Sequence, residues 1–108
     1  MREEDGMRVN IGTVRAFPGV TPDKAQALKV LEEAAEVFGT WQAWDEWRGE
    51  DDPAGRTIAR SSYLGTLCEI GDCITACANL AAAMGVHDLR PYIERARAKN
   101  EERGRYAE

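Results

Sequence analysis

Two pairs of carboxylates at helical spacing are the residues of this 108-residue chain best suited to chemistry. Glu33 and Glu36 are three residues apart, and so are Glu69 and Asp72. Residues three apart lie on the same side of an α-helix, so each pair points in one direction. The second pair interrupts an otherwise apolar stretch. Because an unpaired buried charge costs several kcal/mol, such carboxylates require a partner.

A divalent cation would satisfy both pairs at once. If the two helices pack antiparallel, the four carboxylates can converge on one site, where their mutual repulsion requires a cation. Hard oxygen ligands without His or Cys favour Mg²⁺, with Mn²⁺ as a possible substitute, over zinc. Other interpretations remain open from the residues alone. Glu33 could be solvated, and Glu69 with Asp72 could cap a helix or pair with an arginine (Arg56, Arg60 or Arg97).

Helical periodicity covers the chain from residue 21 onwards. Thr21-Pro22-Asp23 predicts the start of a first helix, with Thr21 as the residue that accepts the first free N–H groups, and the pattern continues to Trp47. A second helix is expected from near Thr57 to Gly85, with one apolar side. The residues of this apolar side are Leu64, Leu67, Gly71, Ile74, Ala78 and Ala81.

A third helix is predicted after the second, with Asp88 as its cap and Gly104 at its end. Three of its residues are expected to face inward: Tyr92, Ile93 and Ala96. Neither βαβ alternation nor a hairpin signal occurs between residues 21 and 104. The sequence therefore predicts an all-α bundle of two long helices and a shorter C-terminal helix.

The predicted organisation is an N-terminal arm over residues 1–20 and a helical domain over residues 21–106. The second helix is apolar around much of its girth, more than two neighbouring helices can cover. We therefore expect a homodimer that completes a four-helix-type bundle, or a dimer of dimers.

Composition excludes several classes of protein. The net charge of −5 argues against a nucleic-acid polymer as partner, because phosphates require an excess of cations. No apolar run of 18 residues is present, so no membrane span is expected. The charged residues 1–5 do not form a secretory signal, which favours the cytoplasm. Three closely spaced cysteines (Cys68, Cys73 and Cys77) are expected to be reduced and to pack as small apolar residues.

The residues around the carboxylates resemble a known family. Leu31–Val37 followed by Leu67–Asp72 is similar to the split ExxE…ExxD signature of the MazG-like all-α nucleotide pyrophosphohydrolases. The segment Lys99–Tyr106 is similar to the KN-x-x-RG-x-Y tail that often ends such chains. The resemblance covers roughly residues 24–106, and the N-terminal arm has no counterpart in it.

This resemblance implies hydrolysis of a ribo- or deoxyribonucleoside triphosphate to the nucleoside monophosphate and pyrophosphate. It implies that Mg²⁺ is held by Glu33, Glu36, Glu69 and Asp72, and that Glu33 or Glu36 orients the attacking water. Substrate-binding residues are also expected. The family tail contributes Lys99, Asn100 and Arg103 as phosphate ligands.

Two further substrate contacts are predicted from helix geometry. Trp44 follows the carboxylate side of the first helix and could stack on a base, the alternative being a place in the core. Asn79 lies two turns beyond Asp72 and could bind a ligand, the alternative being a buried amide satisfied by another helix. The competing function is a non-catalytic dimeric helical interaction module with structural acidic residues.

Overall fold

The computed structural model describes residues 7–107, and within them it contains three α-helices and no strand. The helices are α1 (Lys24–Trp47), α2 (Pro53–Ala83) and α3 (Arg90–Glu102). This confirms the all-α prediction. None of these helices is long and apolar enough to cross a membrane. Residues 1–6 of the predicted arm lie outside the described residues.

The two long helices form an antiparallel hairpin. The five-residue connection between them is of the length that commonly joins antiparallel helices. The register follows from side chains that meet across the seam. Trp44 contacts Tyr63, whereas Glu33, three turns earlier on α1, lies beside Glu69, which is later on α2. The hairpin therefore brings the middle of α1 against the middle of α2.

The first helix is capped by Asp23 rather than by Thr21. The Oδ1 atom of Asp23 accepts the Gln26 N–H at 2.9 Å, and the Thr21 hydroxyl donates to Asp23 Oδ2 at 2.7 Å. Thr21 therefore donates to the capping side chain, and its predicted role as acceptor was wrong. These hydrogen bonds, that from Thr21 first, lower the pKa of Asp23 below its ordinary value.

The second helix begins at Pro53, four residues before the predicted Thr57. Asp52 is the cap, and its Oδ1 accepts the Gly55 N–H at 2.6 Å. A Cβ on Gly55 would lie 2.5 Å from the Cβ of Glu50, so only glycine fits this first turn. The helix ends at Ala83, and Gly85 adopts a left-handed φ of 86°, as predicted for a residue that ends a helix.

The third helix differs from its prediction in cap and in contacts. Leu89, not Asp88, precedes its first turn, while Asp88 accepts the Arg90 N–H and pairs with the Arg90 guanidinium. Tyr92, Ile93 and Ala96 are exposed, so their expected inward orientation was wrong. Over the described residues, α3 packs along neither long helix. Seven of its thirteen residues are charged, which leaves it little apolar surface to bury.

The seam between α1 and α2 is narrow and partly polar. Half-buried α1 residues follow a seven-residue repeat: Gln26, Val30, Glu33, Val37, Thr40, Trp44 and Trp47. Their counterparts on α2 are Ala59, Ser62, Thr66, Glu69, Cys73, Ala76 and Leu80. Within the described residues, Ala76 is the only buried apolar side chain. Leu64 and Leu67 of the predicted apolar side lie half exposed, turned away from this seam.

A hydrogen bond ties the N-terminal arm to the second helix. The Phe17 N–H donates to Asn79 Oδ1 at 2.8 Å, and Asn79 is only 3% exposed. Residues 11–16 of the arm then pass over the end of α2 and the start of α3, leaving a groove of about 840 Å³ between them. Asn79 is thus a buried amide whose oxygen is satisfied by the arm.

Replacing Asn79 tests the strength of this attachment. Asn79→Leu leaves the Phe17 N–H without its acceptor, so we expect the free energy of unfolding to fall by about 1–3 kcal/mol in urea denaturation. A chain that begins at Pro18 lacks the donor and is the control. If Asn79→Leu costs as much in the shortened chain as in the full one, the arm does not account for the loss.

Candidate metal centre

Three carboxylates from the two long helices meet at one place. Glu33 and Glu36 of α1 and Glu69 of α2 each present an oxygen, and these three oxygens all lie within 4.8 Å of one another. The i,i+3 spacing on α1 and the antiparallel register with α2 produce this convergence. The structure therefore brings together three of the four residues that the sequence indicated as metal ligands.

The fourth carboxylate lies at the margin of this cluster. Asp72 is exposed and outside the set of three oxygens, but its charge acts on Glu33. The cluster therefore has three close carboxylates and one nearby.

Two of the carboxylate oxygens are buried and accept no hydrogen bond from the described residues: Glu33 Oε2 and Glu69 Oε2. The Glu33 side chain is only 13% exposed. Buried acceptors of this kind are rare because each loses its water without replacement. A cation between the helices would satisfy both, so the donor set fits a hard divalent metal ion.

The basic side chains near the cluster do not pair with these two buried oxygens. Lys29 Nζ lies 3.6 Å from Glu33 Oε1 and 3.4 Å from Glu32, on the exposed side of α1. Arg97, one of the partners considered from the sequence, pairs with Glu94 and Glu101 within α3. Among the described residues, neither Arg56 nor Arg60 forms an ion pair with Glu69 or Asp72.

The pKa of Glu33 reports the electrostatics of the cluster. Burial raises it above the ordinary value for glutamate, and the neighbouring Glu36 raises it further. Lys29 acts in the opposite direction, and the charge of Asp72 adds a smaller increase. In the absence of a cation, the ionised Glu33 is therefore unfavourable in the folded chain.

Trp44 lies in the seam, three turns from the centre of the cluster. Its ring centroid is 6.2 Å from that of Tyr63, tilted by 53°, and the Arg48 guanidinium carbon lies 4.8 Å from it. Trp44 is eight residues after Glu36, about 12 Å along the helix axis. The i,i+4 spacing of Trp44 and Arg48 could have indicated their contact. The contact between Trp44 and Tyr63 could not be predicted without knowing the register of the two helices.

The other predicted substrate ligands lie apart from the carboxylates within one chain. The oxygen of Asn79 is occupied by the arm. Lys99, Asn100 and Arg103 lie at the end of α3, which does not pack on the hairpin, and Asn100 Oδ1 accepts from Arg105 Nη1 at 3.0 Å. The structure therefore brings none of these four to the cluster, and their binding of substrate stays a prediction.

Comparison of the chain with protein-family models, with curated protein sequences and with solved structures finds no match.

The raised pKa of Glu33 predicts a pH-dependent stability difference in the metal-free protein. Above that pKa, wild type holds an unfavourable charge that Glu33→Gln lacks, so the variant should melt at a higher temperature in EDTA at neutral pH. As the pH falls through the raised pKa, folded Glu33 takes up a proton and wild type gains stability. The difference should vanish below about pH 4, the ordinary range for glutamate. A constant difference over all pH values would contradict the assignment of the effect to this charge.

Proposed function

We propose that this protein is a Mg²⁺-dependent nucleoside triphosphate pyrophosphohydrolase that acts in the cytoplasm and works as a homodimer or a dimer of dimers. The observation that carries the proposal is the meeting of Glu33, Glu36 and Glu69, with buried oxygens on Glu33 and Glu69 that accept no hydrogen bond from residues 7–107. The resemblance of Leu31–Val37 and Leu67–Asp72 to the split carboxylate signature of MazG-like enzymes supports the choice of reaction.

Within the proposal, the hairpin holds the metal between its two helices. Glu33 and Glu69 contribute their enclosed oxygens, Glu36 contributes from the exposed side, and Asp72 completes the set from its margin. Bound Mg²⁺ would neutralise the triphosphate and lower the pKa of a bound water. Glu36 is the residue that we assign to orient the attacking water, because it is exposed whereas Glu33 is nearly enclosed.

The reaction is attack of water on the α-phosphorus. The new bond joins the water oxygen to that phosphorus, and the bond to the α,β-bridging oxygen breaks, so that a nucleoside monophosphate and pyrophosphate leave. The role of the protein is to hold the water and the phosphates in line and to exclude other geometries. Trp44, an aromatic residue on the side of α1 that carries Glu33, is the proposed stacking surface for the base.

A pyrophosphate-release assay tests the activity. With Mg²⁺ and each of the common ribo- and deoxyribonucleoside triphosphates, at least one should give equal amounts of monophosphate and pyrophosphate, and EDTA should abolish turnover. Glu36→Gln should lower kcat by on the order of 100-fold. Replacing a residue that only hydrogen-bonds a metal ligand costs roughly 10- to 100-fold in activity, so the expected loss lies at the upper end of that range. Glu32→Gln, a neighbouring exposed carboxylate outside the cluster, is the matched control and should retain activity.

The products distinguish the outcomes of this assay. Release of orthophosphate in place of pyrophosphate would show that a different bond is cleaved. No turnover of any triphosphate, with dimerisation intact, would favour the non-catalytic interaction module.

Asp72→Asn tests the metal site by stability rather than by turnover. Removing one charge from the cluster should leave the melting temperature in EDTA at or above that of wild type. Because an amide is a poorer ligand for a hard cation, the variant should gain less stability from added Mg²⁺. Thermal melts of both proteins with EDTA and with Mg²⁺ measure this. A large loss of stability that is the same in both conditions would mean that Asp72 is a structural residue.

A further inference from the structure

Two of the three cysteines of α2 lie one helical turn apart. Cys73 and Cys77 are four residues apart, so their side chains project from the same side of the helix. Burial raises the pKa of the Cys77 thiol above its ordinary value, and the neighbouring Cys73 thiol raises it further, which places the two thiols beside each other. Cys68 precedes Cys73 by five residues, or about 140° of rotation, and so lies on another side of the helix.

The pair is enclosed on one side and accessible on the other. Cys73 is half-buried in the seam, whereas Cys77 is exposed and lines the groove between the arm, the end of α2 and the start of α3. Since Cys68 is also exposed, the expectation that these cysteines pack as small apolar residues was wrong for Cys68 and Cys77. Next to Cys77 the groove is lined by Ile74 and Ala78. A ligand can therefore reach the sulfurs past apolar side chains.

A disulfide bond does not fit the spacing of the pair. It requires Cβ atoms about 3.5–4.5 Å apart, whereas residues four apart on an α-helix hold theirs about 5–6 Å apart. Both cysteines are free thiols. A cation between the sulfurs spans the larger distance without unwinding the helix, because two metal–sulfur bonds of about 2.3 Å, the length found for zinc, cover about 4.6 Å. The spacing therefore favours a bridging cation over a bond between the sulfurs.

The number and type of the ligands determine which cation fits. Thiolate sulfur is a soft ligand that selects Cu(I), zinc and iron–sulfur clusters, and not Mg²⁺ or Ca²⁺. Zinc sites and iron–sulfur clusters need three or four protein ligands. Within residues 7–107, no third cysteine, histidine or carboxylate joins Cys73 and Cys77 in a set of ligand atoms within 4.8 Å of one another, although His87 lines the same groove. Two sulfurs alone suit Cu(I), a soft monovalent ion that accepts two-coordination.

We propose that Cys73 and Cys77 form a binding site for one Cu(I) ion, held between their two sulfurs. On binding, both S–H bonds break, two copper–sulfur bonds form, and the two protons pass to solvent. Glu69 lies one turn before Cys73, but its carboxylate is a hard ligand and does not select a soft cation. The site is therefore chemically distinct from the carboxylate cluster and goes beyond the proposed hydrolysis.

Anaerobic titration of the full chain with Cu(I) alone, in competition with a chromogenic Cu(I) chelator, tests the site. Wild type should bind one ion per chain and show the ultraviolet absorption of copper–thiolate bonds. Cys73→Ser and Cys77→Ser each leave one sulfur and should weaken binding by at least about 100-fold, the upper end of the loss for a residue that only supports a ligand. Cys68→Ser retains both sulfurs, so this matched control should bind as wild type does.

A second set of measurements separates loss of a ligand from loss of the fold. Circular dichroism should show unchanged helix content in Cys77→Ser, because this side chain is exposed. X-ray absorption of the copper-loaded protein should show two sulfur neighbours. Glu69→Gln should bind Cu(I) as wild type does, since its carboxylate is not a ligand in this site.

Three results would overturn the proposal: no Cu(I) binding by wild type, binding that survives Cys77→Ser, or equal weakening by Cys68→Ser. An intrahelical disulfide between Cys73 and Cys77, found by mass spectrometry after air oxidation with the helix intact, would contradict the argument from spacing and also overturn it. Nucleotide is absent throughout. Cu(I) binding by a chain that releases no pyrophosphate would therefore contradict the proposed activity alone.

Discussion

The seam between α1 and α2 holds two carboxylates, Glu33 and Glu69, among hydroxyl, small and apolar side chains, and this constraint shapes both the site and the exposed surface. Glu33 and Glu69 occupy positions of the seven-residue repeat where a helical hairpin normally places its largest apolar residues. Several large apolar side chains of both helices lie instead on an exposed outer face, among them Leu31, Phe38 and Leu67. One arrangement of side chains thus produces both a carboxylate cluster and an uncovered apolar surface.

The two consequences have opposite effects on stability. The cluster brings like charges together and leaves two buried oxygens without hydrogen bonds from the part of the chain that the structure describes, which disfavours the folded chain when no cation is present. Covering the outer face would contribute about 25 cal/mol for each Å² of apolar surface removed from water. The proposed association of two copies would offset the cost of holding carboxylates in the seam where it covers that face.

The sequence predicted the helices and the paired carboxylates because both depend on local periodicity. It could not predict which residues line the seam, since the register of two helices depends on long-range packing. Tyr63 beside Trp44 is one result of that register, and the attachment of the arm to Asn79 is another. The start of α2 was misplaced because Asp52 and Pro53 form an earlier cap than the one expected near Thr57. The apolar residues of α3 were expected to be buried in the bundle. Their spacing does not show whether another helix packs against them.

The carboxylate cluster and the exposed apolar surface of the hairpin are encoded in the same short segments. In each long helix a leucine stands two residues before the glutamate of the cluster, at Leu31 and Glu33 and again at Leu67 and Glu69. The helical repeat sends the leucine to the outer face and the glutamate to the seam. A shift of either helix by one residue along the other would separate the carboxylates. Contacts that fix the relative position of the four helices in a dimer would therefore also hold Glu33 and Glu69 at the distance at which one cation can bind both.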